Sequence, residues 1–186
     1  MALDDILLEA EEKMDAAAEH LRREFRGIRT GRASPALVDH IKVNYYGSPT
    51  DLRQLASIAT PEATLIVIKP FDPGSLKEIE KAIFASDLGI TPASDGKLIR
   101  LAMPPLSTER RNQLAGQLKK MSEAGRVAVR NARRDANRDI DQQEKDGELT
   151  EDQAKRAKDD VQKLTDQYEQ KITEVLDAKT KEIRES

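Results

Sequence analysis

From Leu3 the apolar positions fall at Leu3, Leu7, Ala10, Met14, Ala17, Leu21, Phe25 and Ile28, with polar residues between them. Steps of three and four held over about seven turns predict an amphipathic helix with one buried stripe. Its end is expected near Arg29-Thr30-Gly31, because Gly31 suits a C-terminal cap and Pro35 soon follows. A second stripe opens after Met103-Pro104-Pro105-Leu106, where Ser107 or Thr108 can cap a helix and Glu109 suits its positive end. Leu114, Leu118, Met121, Gly125, Ala128, Ala132, Ala136 and Ile140 continue it. Taken from Thr108 to Lys145, such a helix is on the order of 55 Å long. Gly147 is its expected stop. The third stripe begins with the capping box Thr150-Glu151-Asp152-Gln153 and runs through Ala154, Ala157, Val161, Leu164, Tyr168, Ile172, Val175 and Ile183. The short connection Asp146-Gly147-Glu148 makes the last two helices antiparallel neighbours. Stripes this narrow cannot be stable singly, so the three helices are expected to form one bundle.

Between the first two stripes the period changes and prolines and glycines concentrate. Ile41-Lys42-Val43-Asn44-Tyr45-Tyr46 before Gly47-Ser48-Pro49 reads as strand and turn, and Leu65-Ile66-Val67-Ile68 as a short buried strand. Asp95-Gly96 ahead of Leu98-Ile99-Arg100-Leu101 is a hairpin signal. Ser75-Leu76-Lys77-Glu78 is another capping box, opening a short helix whose apolar face is Leu76, Ile79 and Ile83. The expectation is an α+β chain. Residues 1–29 and 106–186 form a discontinuous three-helix bundle, and residues 30–105 form a small inserted β/α/β domain. Two adjacent crossings join them, a geometry that suits a hinge and a rigid elbow equally.

Composition removes several classes of function. Of 186 residues 35% are charged and 3% aromatic, a profile shared by disordered chains and long solvated helices. A net charge of only −3 favours helices, since near-balanced charges can pair at i,i+4 spacing. With no cysteine and only His20 and His40, thiol catalysis, disulfide scaffolds and structural zinc sites are excluded. No apolar run approaches the roughly 20 residues that span a membrane. The acidic, amphipathic start is unlike a signal peptide, so the chain reads as cytoplasmic. Gly96-Lys97 is followed by Leu98 where a phosphate loop needs Ser or Thr. Pairs such as Asp159-Asp160 fall on solvated faces. No catalytic centre, cofactor or metal is expected.

Charge is not evenly spread. Residues 106–134 hold 8 basic and 2 acidic side chains, against 10 and 16 in residues 135–186. Within the basic block Arg126, Arg130, Arg133 and Asn137 follow i, i+4, i+7, i+11 and form one stripe, which Arg134 and Arg111 widen. Set against Ala128 and Ala132 as the core face, these arginines point away from the bundle. No acid lies within 126–134, so local pairing is not expected. The first helix adds Arg22, Arg26 and Arg29, with Arg32 just beyond. Forked guanidinium donors suit phosphate oxygens. No aromatics interleave with them, which favours backbone and shape contact with folded RNA over base stacking. Pairing with acids of neighbouring helices is the alternative use of such a stripe.

Several motifs carry a resemblance. Arg29-Thr30-Gly31-Arg32-Ala33-Ser34-Pro35, Tyr45-Tyr46-Gly47-Ser48-Pro49, Leu52-Arg53-Gln54-Leu55-Ala56-Ser57, Ser86-Asp87-Leu88-Gly89 and the run from Arg126 to Asn137 are similar, in order, to the bacterial ribosome recycling factor family. That resemblance covers essentially the whole chain. It implies an L-shaped molecule that binds the large ribosomal subunit after termination. With elongation factor G and GTP it would split the ribosome into subunits, with no catalytic centre of its own; a monomer is expected separately, because the three helical stripes can satisfy one another. The resemblance places RNA-facing arginines at Arg29, Arg32, Arg111, Arg130 and Arg133, and an inter-domain junction at Thr30-Gly31 and Pro104-Pro105. Arg126, Arg134 and Asn137 join the RNA face from the helical stripe. The other readings are a ribosome-associated stress or hibernation factor and a helical protein-binding module.

Overall fold

The computed structural model describes residues 2–185. In chain order its elements are α1 Leu3–Arg26, β1 Lys42–Tyr45, β2 Ser48–Asp51, the single turn α2 Leu52–Leu55, β3 Ala56–Glu62, β4 Leu65–Pro70, α3 Leu76–Phe84, β5 Ala93–Ser94, β6 Ile99–Ala102, α4 Thr108–Lys145 and α5 Glu151–Glu185. They fall into two compact units. One comprises the chain up to Arg29 with Glu109–Lys181, the other Thr30–Thr108 with the chain from Glu182 on. The last turn of α5 thus groups with the second unit, where the Thr30 hydroxyl donates to Glu182 Oε1 at 3.0 Å.

In the first unit α1 buries Ile6, Ala10, Met14, Ala18, Leu21 and Phe25. It stops at Arg26, short of the expected end near 29–31. Gly27 supplies the earlier break, its N–H returning to Glu24 O at 3.2 Å, in line with the poor helix propensity of glycine. The Thr150 capping box closes in both directions: Thr150 N–H donates to Gln153 Oε1 at 2.9 Å, and Gln153 N–H to Thr150 Oγ1 at 3.2 Å. Gly147, at φ +76°, turns the chain between α4 and α5. Ile6, Ala10, Ala136, Ile140, Ala154, Ala157 and Val161 then form one cluster drawn from all three helices.

The α4 seam is rotated from the stripe read in the sequence. Ser122, Val129, Ala132, Ala136, Ile140 and Gln143 are buried, while Ala128 is exposed and Met121 only half-buried. Burying Val129 removes more apolar area from water than burying Ala128, so the larger side chain sets the rotation.

The second unit contains a β1–β2 hairpin and a four-stranded antiparallel sheet of order β3-β4-β6-β5. Tyr46 at φ +49° and Gly47 at φ +83° make the hairpin turn, both in the left-handed region that a two-residue turn of this hand demands. In the sheet Ile66 and Ile68 face Leu101 and Ile99 in register, and all four are fully buried. Helix α3 lies in the chain between β4 and β6, which are antiparallel partners, and buries Ile79 and Ile83 in the same core. Ser75 stands at the N-cap position, but its side chain makes no capping hydrogen bond, contrary to the capping box expected there. It sits buried in helical conformation, and its hydroxyl donates to Asp72 O at 2.7 Å. Asp72 instead receives Gly74 N–H at 2.9 Å and caps the 3-10 turn that leads into α3.

Candidate nucleic-acid interface

Helix α4 carries the cationic stripe along its flank facing α5. At about 100° per residue, Arg126, Arg130, Arg133 and Asn137 lie roughly 50–110° round from the buried seam. They are half-buried, where the sequence placed them pointing away from the core. Rotation of the seam toward Val129 is the cause, since it carries the arginines toward the neighbouring helix.

That neighbour supplies partners. Arg126 Nη2 donates to Thr173 Oγ1 at 3.0 Å, Arg130 Nη1 lies 3.7 Å from Glu169 Oε1, and Arg133 Nη1 donates to Gln162 Oε1 at 3.2 Å. As the α4 number rises the α5 number falls, as antiparallel helices require. Glu123, one turn before the stripe, meets Arg130 Nη2 at 2.6 Å and Arg126 Nη1 at 3.7 Å. The expectation that local pairing fails is therefore corrected. It held for the window 126–134 but stopped three residues short of the acid that pairs. The hydrogen bond from Arg130 pulls the Glu123 carboxyl below its ordinary range, against a smaller opposing effect of desolvation.

Other site residues are less encumbered. Arg134 is exposed and makes no ion pair among the described residues, and the same holds for Arg29 and Arg32. Arg134, Arg133, Asn131 and Asn137 line an open groove of about 730 Å³ along α4 that reaches Gln162. Asn137 Oδ1 is buried there with no hydrogen-bond partner. Arg138, in the same groove, is shared between Asp135 and Asp139, each at 3.7 Å. Arg111 is half-buried on α4, some four turns before Arg126. Arg32 belongs to the second unit. The structure brings Arg126, Arg130, Arg133, Arg134 and Asn137 onto one flank and leaves Arg29, Arg32 and Arg111 outside it.

Of the four residues expected at an inter-domain junction, Thr30 is buried, Gly31 has φ +74°, and Pro104 and Pro105 are exposed. A Cβ on Gly31 would stand 3.0 Å from Leu106 Cγ. Among the described residues no group of three His, Asp or Glu side chains is placed to hold a metal. Sequence reasoning missed Glu123, Glu169, Gln162 and Thr173. The i,i+3 and i,i+7 spacing of Glu123 from Arg126 and Arg130 was the available signal for the first.

Comparison with known proteins gives concordant matches. The family model described as ribosome recycling factor matches residues 21–183. The ribosome-recycling factor of Oleidesulfovibrio alaskensis is 55% identical over 98% of this chain and 100% of its own length. That of Halalkalibacterium halodurans is 53% identical over 97% and 98%. A ribosome recycling factor solved in solution superimposes with a TM-score of 0.72 at 44% identity, covering 99% of this chain and 98% of its own. The T. thermophilus ribosome recycling factor, described with the E. coli elongation factor G on the E. coli post-termination complex, gives a TM-score of 0.64 at 39% identity over 98% of this chain and 99% of its own.

Proposed function

Because the chain belongs to the ribosome recycling factor family, we propose that it acts on ribosomes left on messenger RNA after termination. It binds the large subunit and, with elongation factor G and GTP, splits the ribosome into subunits and frees the messenger. The observation that carries this reading is the match, over nearly the full length, to a relative described on the post-termination complex together with that elongation factor. It is a translation factor that works by binding, without a catalytic centre of its own, in the cytoplasm and as a monomer. No described helix is long and apolar enough to cross a membrane.

The arginine flank of α4, with Arg29 of the same unit, and separately Arg32 of the second unit and Arg111, are the residues proposed to hold ribosomal RNA. Guanidinium forks on a rigid helix hold phosphates at fixed spacing, and three long helices resist bending when force is applied. Thr30-Gly31 and Pro104-Pro105 are the two crossings through which the inserted unit would move when the elongation factor pushes it. A subunit-splitting assay on post-termination complexes, with and without elongation factor G and GTP, tests the function. Splitting that needs both partners is expected, and none with an active partner would overturn it. Arg130→Ala with Arg133→Ala should weaken large-subunit binding about tenfold, and unchanged affinity would remove the proposed anchor.

A further inference from the structure

The arginine flank is electrically two surfaces. In its first half Arg126 and Arg130 are matched by Glu123 and Glu169, two cations against two carboxylates. In its second half the Arg133 guanidinium rests on the neutral amide of Gln162, and Arg134 makes no ion pair among the described residues. On this flank a strand of RNA arriving without a fixed shape therefore meets unmatched positive charge at Arg133 and Arg134. At Arg130 it meets a cation with two carboxylates attached.

We infer that Glu123 is a specificity-determining residue of the RNA face, making the phosphate contact at Arg130 conditional on correct docking. The inference rests on the RNA-binding reading above and deepens it. Glu123 is suited to this role by position. Its side chain is 56% exposed, so it can leave Arg130 without opening the bundle core. Arg126 keeps Thr173 when Glu123 departs, so the first half of the stripe does not collapse. A phosphate brought to Arg130 while Glu123 stays in place puts two anions side by side, which repels any polyanion that brings no further contacts. A folded RNA already held through Arg133 and Arg134 brings the additional contacts, and can offer a ribose hydroxyl or base amino donor to the displaced carboxylate. Such a device separates right from wrong partners by penalising the wrong one.

The test uses the full chain and its Glu123→Gln variant, which keeps the side-chain size and removes the charge. Binding is measured across a salt series to isolated large ribosomal subunits and to polyuridylate, an unstructured RNA. For polyuridylate the variant should gain about threefold in affinity, with a salt slope steeper by about 0.7, the increment for one more phosphate contact on a single strand. Large-subunit affinity should change less than twofold, so the ratio between the two ligands falls. Unchanged polyuridylate affinity and slope, or an equal gain for both ligands, would overturn the role of Glu123. Arg133→Ala and Arg134→Ala separate this from failure of the underlying reading. If they weaken large-subunit binding while Glu123→Gln does nothing, only the specificity role is lost. If they leave it unchanged, the RNA face itself is wrong and the role of Glu123 falls with it.

Discussion

The second unit buries Leu52, Ile66, Ile68, Ile79, Ile83, Ile99 and Leu101 in one cluster, all large and nearly inaccessible. The bundle buries large side chains too, Met14, Leu114, Leu118, Ile140 and Ile172, but spaces them along its length with Ala10, Ala18, Ala132, Ala136, Ala154 and Ala157, and buries Ser122, Gln143 and Thr165. One unit concentrates apolar area in a small volume. The other spreads a thin seam along helices of 24, 38 and 35 residues. A thick core is damaged most by removing atoms, whereas a thin seam is damaged by adding them. The difference also suits the proposed roles, since alanine seams keep helices close and slim while leaving their flanks to polar and charged side chains.

Ile66→Ala should show the largest effect. It empties the centre of a four-stranded sheet and costs about 2–5 kcal/mol. Native-state hydrogen exchange should register the loss in β4, β6 and α3, with amides of α4 and α5 in the first unit unaffected. Equal loss in both units would break the distinction between them. Next comes Ala136→Leu, aimed at the bundle. Ala136 is 4% exposed within a cluster drawn from all three helices, and overpacking it should cost about 1–3 kcal/mol. Thermal unfolding reads the change, and a gain in stability would mean the seam has slack.

The same contrast explains what was legible in the sequence. The fold class and the three helices followed from long apolar periodicity, and α4 spans the expected 108–145 because a run of 38 residues averages out local ambiguity. Its rotation was not legible, because Gly125, Ala128, Val129 and Ala132 offer two neighbouring candidate faces and only packing against α1 and α5 selects one. Strand β3 was missed since it is largely exposed and carries Pro61 and Glu62, leaving no alternation to read. Residue type and spacing placed Arg126, Arg130, Arg133 and Asn137 on one stripe. Their partners Glu169 and Gln162 were hidden because the register of α5 against α4 is a tertiary quantity.

Glycine gives the smallest and sharpest version of the comparison. Gly31 and Gly116 carry the same chemistry but are held by opposite constraints. Gly31 has φ +74°, and a Cβ there would stand 3.0 Å from Leu106 Cγ. Gly31→Ala should cost about 1–2 kcal/mol in the second unit from the left-handed backbone alone, before any shift of Leu106. Gly116 lies within α4, and a Cβ on it would meet nothing within 4 Å. Gly116→Ala should therefore stabilise the bundle by up to about 1 kcal/mol, through helix propensity. Denaturant unfolding of the two variants should give shifts of opposite sign. If Gly116→Ala instead destabilised the protein, α4 would be using that glycine for something other than continuing the helix. The surroundings argue against this, since Gly116 is exposed and between Arg110 and Lys120 only Leu114 and Leu118 are fully buried.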